Sequence, residues 1–172
     1  MSRFFVYNGV MRLFIAFTPD KQSVRALRRY QNEWKEAGMT GRFVAGANLH
    51  MTALFIGEVS EKQAETIGRI AAALPFSPMT LPVSGAGHFR KLWYVKVEET
   101  EKIRRHVMDL RDRLQAASIP FDSKPFFAHI TMVRNADGAA DRLPVPARIR
   151  FESLTLYESA YRDGKLTYIP LK

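Results

Sequence analysis

The chain has 172 residues, of which 47% are hydrophobic and 25% charged, a balance typical of a globular protein with a substantial core. It contains no cysteine, which excludes disulfides, thiolate catalysis and cysteine-ligated metal centres and favours a reducing, cytoplasmic setting. No apolar run approaches the roughly 18 residues needed to cross a membrane. The net charge of +9 favours a polyanionic partner, first of all a nucleic acid, although Lys and Arg that simply solvate helix surfaces are the alternative.

The pattern of apolar residues, caps and turn residues predicts an alternation of strands and helices. In the first half the predicted elements are a strand over 12–18, a helix from the cap Asp20 to Gly38, a strand over 49–56 and a helix from the Ser60 capping box to Pro75. Strands over 81–89 and 92–97 follow, then a helix from the cap Thr100 that ends before Pro120 and a strand over 128–133. A loop over 135–143 and strands over 149–157 and 166–171 complete the chain order.

The order of strand, helix and histidine-bearing strand occurs twice at nearly equal spacing, which predicts two β-α-β halves related by a pseudo-two-fold axis. We expect residues 11–172 to form a single domain of two lobes, with residues 1–10 as an N-terminal extension.

Two short segments carry matching polar residues inside apolar runs. His50 and Thr52 stand in the first segment, and His129 and Thr131 stand in the second. On a strand, residues two apart share a face, so each His and its Thr should project together while the residues between them point into the core. Polar side chains on one face of an apolar strand need partners or a wet cleft.

Three other interpretations compete with an acid–base role for the two histidines. A single histidine of this kind is more often a satisfied core residue, but the matched pair argues against that for both. A metal site normally needs three protein ligands, and neither segment contains an acidic residue, so we expect no metal. A serine or threonine nucleophile is not indicated, because the chain has no Gly-x-Ser-x-Gly elbow.

Two histidines across a cleft suit the displacement of an oxygen from phosphorus. With ordinary pKa values near 6.5, one imidazole accepts a proton while the other donates one. Five residues after the histidines stand Phe55 and Arg134. Arginine binds phosphate with a bidentate fork and phenylalanine stacks on bases, but five is an odd step. On straight strands both side chains would lie on the face opposite their histidine, unless the strands end or bulge there; otherwise the two are structural residues.

These residues resemble the 2H phosphoesterase superfamily, which is marked by paired His-x-Thr-x motifs. Within it the chain is similar to the bacterial RNA 2′,3′-cyclic phosphodiesterases, formerly called 2′-5′ RNA ligases. The resemblance rests on three segments beyond the start at residue 11: Asn48–Val59, His129–Arg134 and Leu154–Ser159.

The resemblance implies an α+β fold with two lobes, whose antiparallel-rich sheets surround a central cleft. It implies a hydrolase, without metal or other cofactor, that opens RNA 2′,3′-cyclic phosphate ends to 2′-phosphomonoesters, with 2′-5′ joining of RNA such as tRNA halves as a reversible side activity. By position, His50 is the proton donor and His129 the base. Thr52, Thr131 and Arg134 hold the phosphate, and Phe55 approaches the terminal base. We expect a cytoplasmic monomer that does not associate with membranes.

Two alternatives stay open at this stage. A related enzyme acting on small cyclic nucleotides or ADP-ribose cyclic phosphate would keep both motifs with less need for a basic surface. A non-catalytic RNA-binding module would explain the charge but not the two matched motifs.

Overall fold

The computed structural model describes residues 9–138 and 142–171. Over these ranges the chain forms eight strands and three α-helices, in the order β1 (Val10–Pro19), α1 (Lys21–Glu36), β2 (Thr40–Phe43), β3 (Met51–Ser60), α2 (Glu61–Ala73), β4 (Met79–Phe89), β5 (Leu92–Val97), α3 (Glu101–Ala116), β6 (His129–Asp137), β7 (Arg148–Arg162) and β8 (Lys165–Pro170). A short 3₁₀ turn, Gly46–Asn48, precedes β3. None of the helices in the described ranges has the length and hydropathy of a membrane span.

The three helices begin at the predicted caps. The side chains of Asp20, Ser60 and Thr100 each accept a hydrogen bond from a backbone N–H of the first turn, a group that would otherwise have no partner. Gln63 completes the capping box of α2 by bonding back to the Ser60 backbone. These local signals therefore place the helix starts correctly.

Every strand pairing within the described ranges is antiparallel. The strands follow the order β2-β6-β5-β4-β7-β1-β3, and β8 pairs with the outer part of β7. Strand β4 joins the two lobes, because Met79–Pro82 pairs with β7 and Val83–Phe89 pairs with β5. The predicted α+β class with antiparallel strands is confirmed, but the two expected sheets are joined through β4 into one open sheet.

The two halves repeat the same arrangement. Strands β1 and β3 are hydrogen-bonded neighbours connected through α1, and β5 and β6 are hydrogen-bonded neighbours connected through α3. In both halves the second strand carries the motif threonine; the histidine is the first residue of β6 but lies one residue before β3. Strand β2 departs from this symmetry, because it follows α1 in the chain yet pairs with β6 of the other half.

Several predicted boundaries need correction. Nothing in the sequence pattern indicates β2, which is short and polar. The first motif strand begins at Met51, so His50 precedes it rather than lying within it. Strand β6 runs to Asp137, where a loop over 135–143 was expected, and residues 139–141 of that loop lie outside the described residues. The division at residue 10 stays a prediction, because β1 begins at Val10 and residues 1–8 are not described.

The faces of β1 separate the core from the cleft. Leu13, Ile15 and Phe17 are fully buried on one face, where β1 contacts the helices α1 and α2. Arg12 and Phe14 alternate with them and line a cleft on the other face. The helices therefore cover one side of the sheet and leave the side that carries the motifs open.

Candidate active site

The first motif is shaped by a β-bulge. The register between β1 and β3 slips by one residue at Ala53, which leaves Ala53 without a partner in the strand pairing. As a result Thr52 and Phe55, three residues apart, are both half-buried on the cleft face, with buried residues between them. The odd five-residue step from His50 to Phe55 is thereby resolved, and both side chains line the same cleft.

The second motif has a bulge at the equivalent position. The register between β5 and β6 slips at Met132, three residues after His129, as Ala53 is three residues after its histidine. His129, Thr131 and Arg134 are half-buried and the residues between them are buried, which repeats the pattern of the first motif. The bulge therefore turns Arg134 to the same face as His129 and Thr131.

Each histidine is held in the same tautomer. The Nδ1 atoms of His50 and His129 lie 2.7 Å from the carbonyl oxygens of Asn48 and Phe127, two residues earlier. Because a carbonyl only accepts, Nδ1 carries the hydrogen and Nε2 of the neutral ring keeps its lone pair. Nε2 of His50 lies 2.9 Å from Oγ1 of Thr52. Both rings thus have the arrangement required of a proton-transfer group.

His50 lies in an aromatic enclosure. Its ring centroid is 5.0 Å from that of Phe14 on β1 and 5.1 Å from that of Tyr168 on β8. The Asn48 side chain donates to the carbonyl of Leu166 and accepts from the Tyr168 N–H, at 3.0 and 3.3 Å. Strand β8 therefore fixes both the ring contact and the turn that anchors Nδ1.

His129 has a different aromatic neighbourhood. The centroids of Tyr94 on β5 and of Phe127 lie 5.4 and 5.0 Å from its ring. The Tyr94 ring crosses Gly87 of β4 so closely that a Cβ there would lie 2.8 Å from its atoms. The absence of a side chain at Gly87 is thus what lets Tyr94 lie across the strand and reach His129.

Burial dominates the electrostatics of both histidines. Burial lowers the pKa of His50 to about 4; the Asn48 carbonyl opposes this, and the charges of Arg134 and His129 add to it. Burial also lowers the pKa of His129 below 6.5, with the Phe127 carbonyl opposing and Arg134 adding to the effect. Both rings are therefore mainly neutral at pH 7 in the unliganded protein.

The cleft beside these residues has a volume of about 1400 Å³. Four of the six predicted site residues line it, namely His50, Thr52, Phe55 and Arg134. His129 and Thr131 lie outside this lining, on the adjoining part of β6. The charge of His129 still lowers the pKa of His50, so the two rings lie within electrostatic reach of each other.

The cleft also contains residues that the sequence did not single out. Arg12 lies across one face of Phe55, with its guanidinium carbon 5.1 Å from the ring centroid. Arg42 of β2 reaches the cleft next to Arg134. The sequence offers no signal for Arg42, because its strand is too short and polar to predict. In the part of the chain that the structure describes, no three His, Asp or Glu side chains come together as a metal site would require.

Comparisons with known proteins show the family to which the chain belongs. The family model of LigT-like phosphoesterases matches residues 17–94, which include the first motif. The RNA 2′,3′-cyclic phosphodiesterase of Escherichia coli strain K12 is 30% identical over 138 residues, covering 77% of this chain and 78% of the relative. The crystal structure of apo E. coli LigT superposes with a TM-score of 0.78 at 26% identity and covers 95% of this chain and 96% of that one. The crystal structure of TT0787 from Thermus thermophilus superposes with a TM-score of 0.75 at 27% identity, covering 94% and 96% of the two chains. The chain belongs to the LigT-like phosphoesterase family.

Proposed function

We propose that the protein hydrolyses the 2′,3′-cyclic phosphodiester ends of RNA to 2′-phosphomonoesters. The observation that carries this proposal is the pair of imidazoles. Each Nδ1 is hydrogen-bonded to a carbonyl two residues earlier, so Nε2 is the nitrogen that can accept or donate the transferred proton. The E. coli relative bears the name of this activity, and the charge of +9 suits a polyanionic substrate.

In the proposed reaction His129 accepts a proton from water through Nε2 as the water oxygen attacks phosphorus. The bond from phosphorus to the 3′ oxygen breaks, and His50 donates the proton that this oxygen requires. The phosphate remains on the 2′ oxygen. An RNA 5′-hydroxyl that attacks in place of water gives a 2′-5′ linkage by the same displacement, so joining of RNA ends such as tRNA halves belongs to the proposal.

The remaining site residues act on charge and position. Thr52, Thr131 and Arg134 hold the non-bridging oxygens, where charge accumulates in the transition state. Phe55 presents its ring to the terminal base, with Arg12 covering the opposite face. We further propose that the protein is a monomer and works in the cytoplasm; the absence of cysteine suits the reducing environment of that compartment.

The low pKa of His50 in the unliganded site bears on these roles. A proton donor must carry its proton, yet the pKa of His50 is about 4. The assignment of His50 as the acid therefore requires that the bound phosphate raise this pKa. The opposite assignment, with His129 as the acid, places the proton on the histidine whose pKa is less strongly depressed.

A leaving group that needs no proton distinguishes the two assignments. In a cyclic substrate with sulfur at the 3′ position the leaving group departs as a thiolate, so loss of the acid has little effect on the rate. We expect His50→Ala and His129→Ala each to lower kcat on the oxygen substrate by about 10²–10⁴. With the sulfur substrate His50→Ala should recover most of this loss and His129→Ala should not. The reverse pattern would exchange the roles.

A substrate panel tests the function itself. The assay compares turnover of a cyclic-ended oligoribonucleotide, nucleoside 2′,3′-cyclic phosphates and ADP-ribose cyclic phosphate. His88→Ala is the matched control, because this histidine is exposed on β4, outside the cleft. Preference for a small cyclic phosphate would favour the related small-molecule enzyme. Binding of RNA without turnover of any substrate would favour the binding module.

A further inference from the structure

Two arginines stand directly opposite each other at the cleft. Arg42 of β2 and Arg134 of β6 are register partners on neighbouring antiparallel strands, and both line the cleft. Opposed residues have Cβ atoms about 5 Å apart, and like charges in this position destabilise a sheet. Among residues 9–138 and 142–171, neither guanidinium has a carboxylate within ion-pair distance.

The backbone around this pair is closely fitted. At Gly41, whose φ is +145°, a Cβ would lie 2.9 Å from the Arg134 carbonyl oxygen. The buried side chain of Gln31 donates to the carbonyls of Val44 and of the bulge residue Met132, at 2.9 and 3.0 Å. Helix α1 thus ties the end of β2 to the bulge that orients Arg134, and Arg42 is held beside it.

An exposed edge strand often carries a charge that prevents association with other strands. That role requires only a charge, and it gives no reason to place the charge opposite a second arginine. Two adjacent guanidiniums at one cleft instead match two adjacent anions. The cyclic phosphate carries one negative charge, for which Arg134 and the threonines of the motifs already provide donors.

We propose that Arg42 binds the internucleotide phosphate on the 5′ side of the terminal nucleotide. This inference rests on the proposed function and extends it. In RNA this phosphodiester is the anion nearest to the cyclic end, and a nucleoside cyclic phosphate lacks it. Arg42 therefore makes the enzyme prefer an RNA chain over a mononucleotide through a charge-assisted, bidentate contact.

A dinucleotide with a neutral linkage tests this contact. The substrates are a dinucleotide that ends in a 2′,3′-cyclic phosphate and the same molecule with a methylphosphonate between its nucleotides. We expect Arg42→Ala to lower kcat/KM about 10-fold more on the charged dinucleotide than on the neutral one. Arg42→Lys should keep part of this difference, because it keeps the charge without the fork.

Arg148→Ala is the matched control, since it removes an exposed strand arginine that does not line the cleft. It should affect the two dinucleotides equally, and thermal unfolding verifies that all variants are folded. If the wild type turns over both dinucleotides and Arg42→Ala lowers kcat/KM equally on both, the inference is overturned. The proposed function would be unaffected by that result. A wild type inactive on every cyclic phosphate would overturn both.

Discussion

Substrate binding is expected to change the protonation of His50, whose pKa of about 4 leaves it neutral at pH 7 in the unliganded protein. A phosphate anion with its charge about 4 Å from the imidazolium stabilises the protonated ring by about 4 kcal/mol at an effective dielectric constant of about 20. Because one pKa unit is about 1.4 kcal/mol, this interaction is large enough to bring the pKa of His50 back toward its ordinary value. The bound anion thus favours the protonated form of His50, which takes its proton from the solvent and can then act as the proposed acid.

NMR titration of histidine-labelled protein measures this change. The pKa of His50 is compared in the free protein and in the complex with a slowly hydrolysed nucleoside 2′,3′-cyclic phosphorothioate, and the spectrum of His50→Gln assigns the signal. His106 on α3, which lies outside the cleft, is the internal control. A rise of less than about one unit in the pKa of His50 would refute the electrostatic reasoning, and the acid would then have to be another group.

Four further predictions concern the same site. Arg134→Ala should lower kcat/KM by about 10²–10³ through loss of charge stabilisation, and Arg134→Lys should restore only part of this loss. The rate should keep the bell-shaped dependence on pH that one acid and one base produce, because Arg134 transfers no proton. An unchanged rate in the alanine variant would exclude Arg134 from phosphate binding. Exhaustive EDTA treatment should leave turnover intact, and activity that vanishes and returns with zinc or manganese would contradict the two-histidine mechanism. The pKa of His50 is lower in the folded than in the unfolded chain, so on acidification the imidazole of the unfolded chain takes up its proton first. The free energy of unfolding should therefore decrease as the pH falls from 6.5 to about 4, by at most about 3 kcal/mol. Denaturant unfolding of His50→Gln should lack this part of the pH dependence. The logarithm of RNA affinity should decrease with the logarithm of salt concentration, and a flat dependence would favour a small-nucleotide substrate.

The sequence predicts the parts of the fold that depend on local chemistry. The caps Asp20, Ser60 and Thr100 act within one helical turn, so their residue types and spacing suffice to locate the helix starts. The second motif is equally local, because alternation along β6 places His129 and Thr131 on one face. His50 lies one residue before β3, so strand alternation does not account for its position beside Thr52 in the cleft.

The parts that depend on pairing between strands could not be predicted in this way. Whether Phe55 and Arg134 face the cleft depends on bulges at Ala53 and Met132, and a bulge is a property of the register with the neighbouring strand. Arg42 was missed for a similar reason. Its strand is four residues long and is defined by pairing with β6 from the other half of the chain.

The two halves repeat one scaffold, and the difference between their histidines arises from what packs around each ring. The motif, the bulge and the carbonyl anchor are the same for His50 and His129, so none of these can assign different roles. His50 is additionally enclosed by Tyr168 of β8, a strand that extends only the first lobe. Burial is the largest influence on the pKa of either ring, and its effect is greater at His50. Strand β8 lies outside the repeat, and its Tyr168 therefore gives His50 a ring contact that the repeated scaffold does not account for.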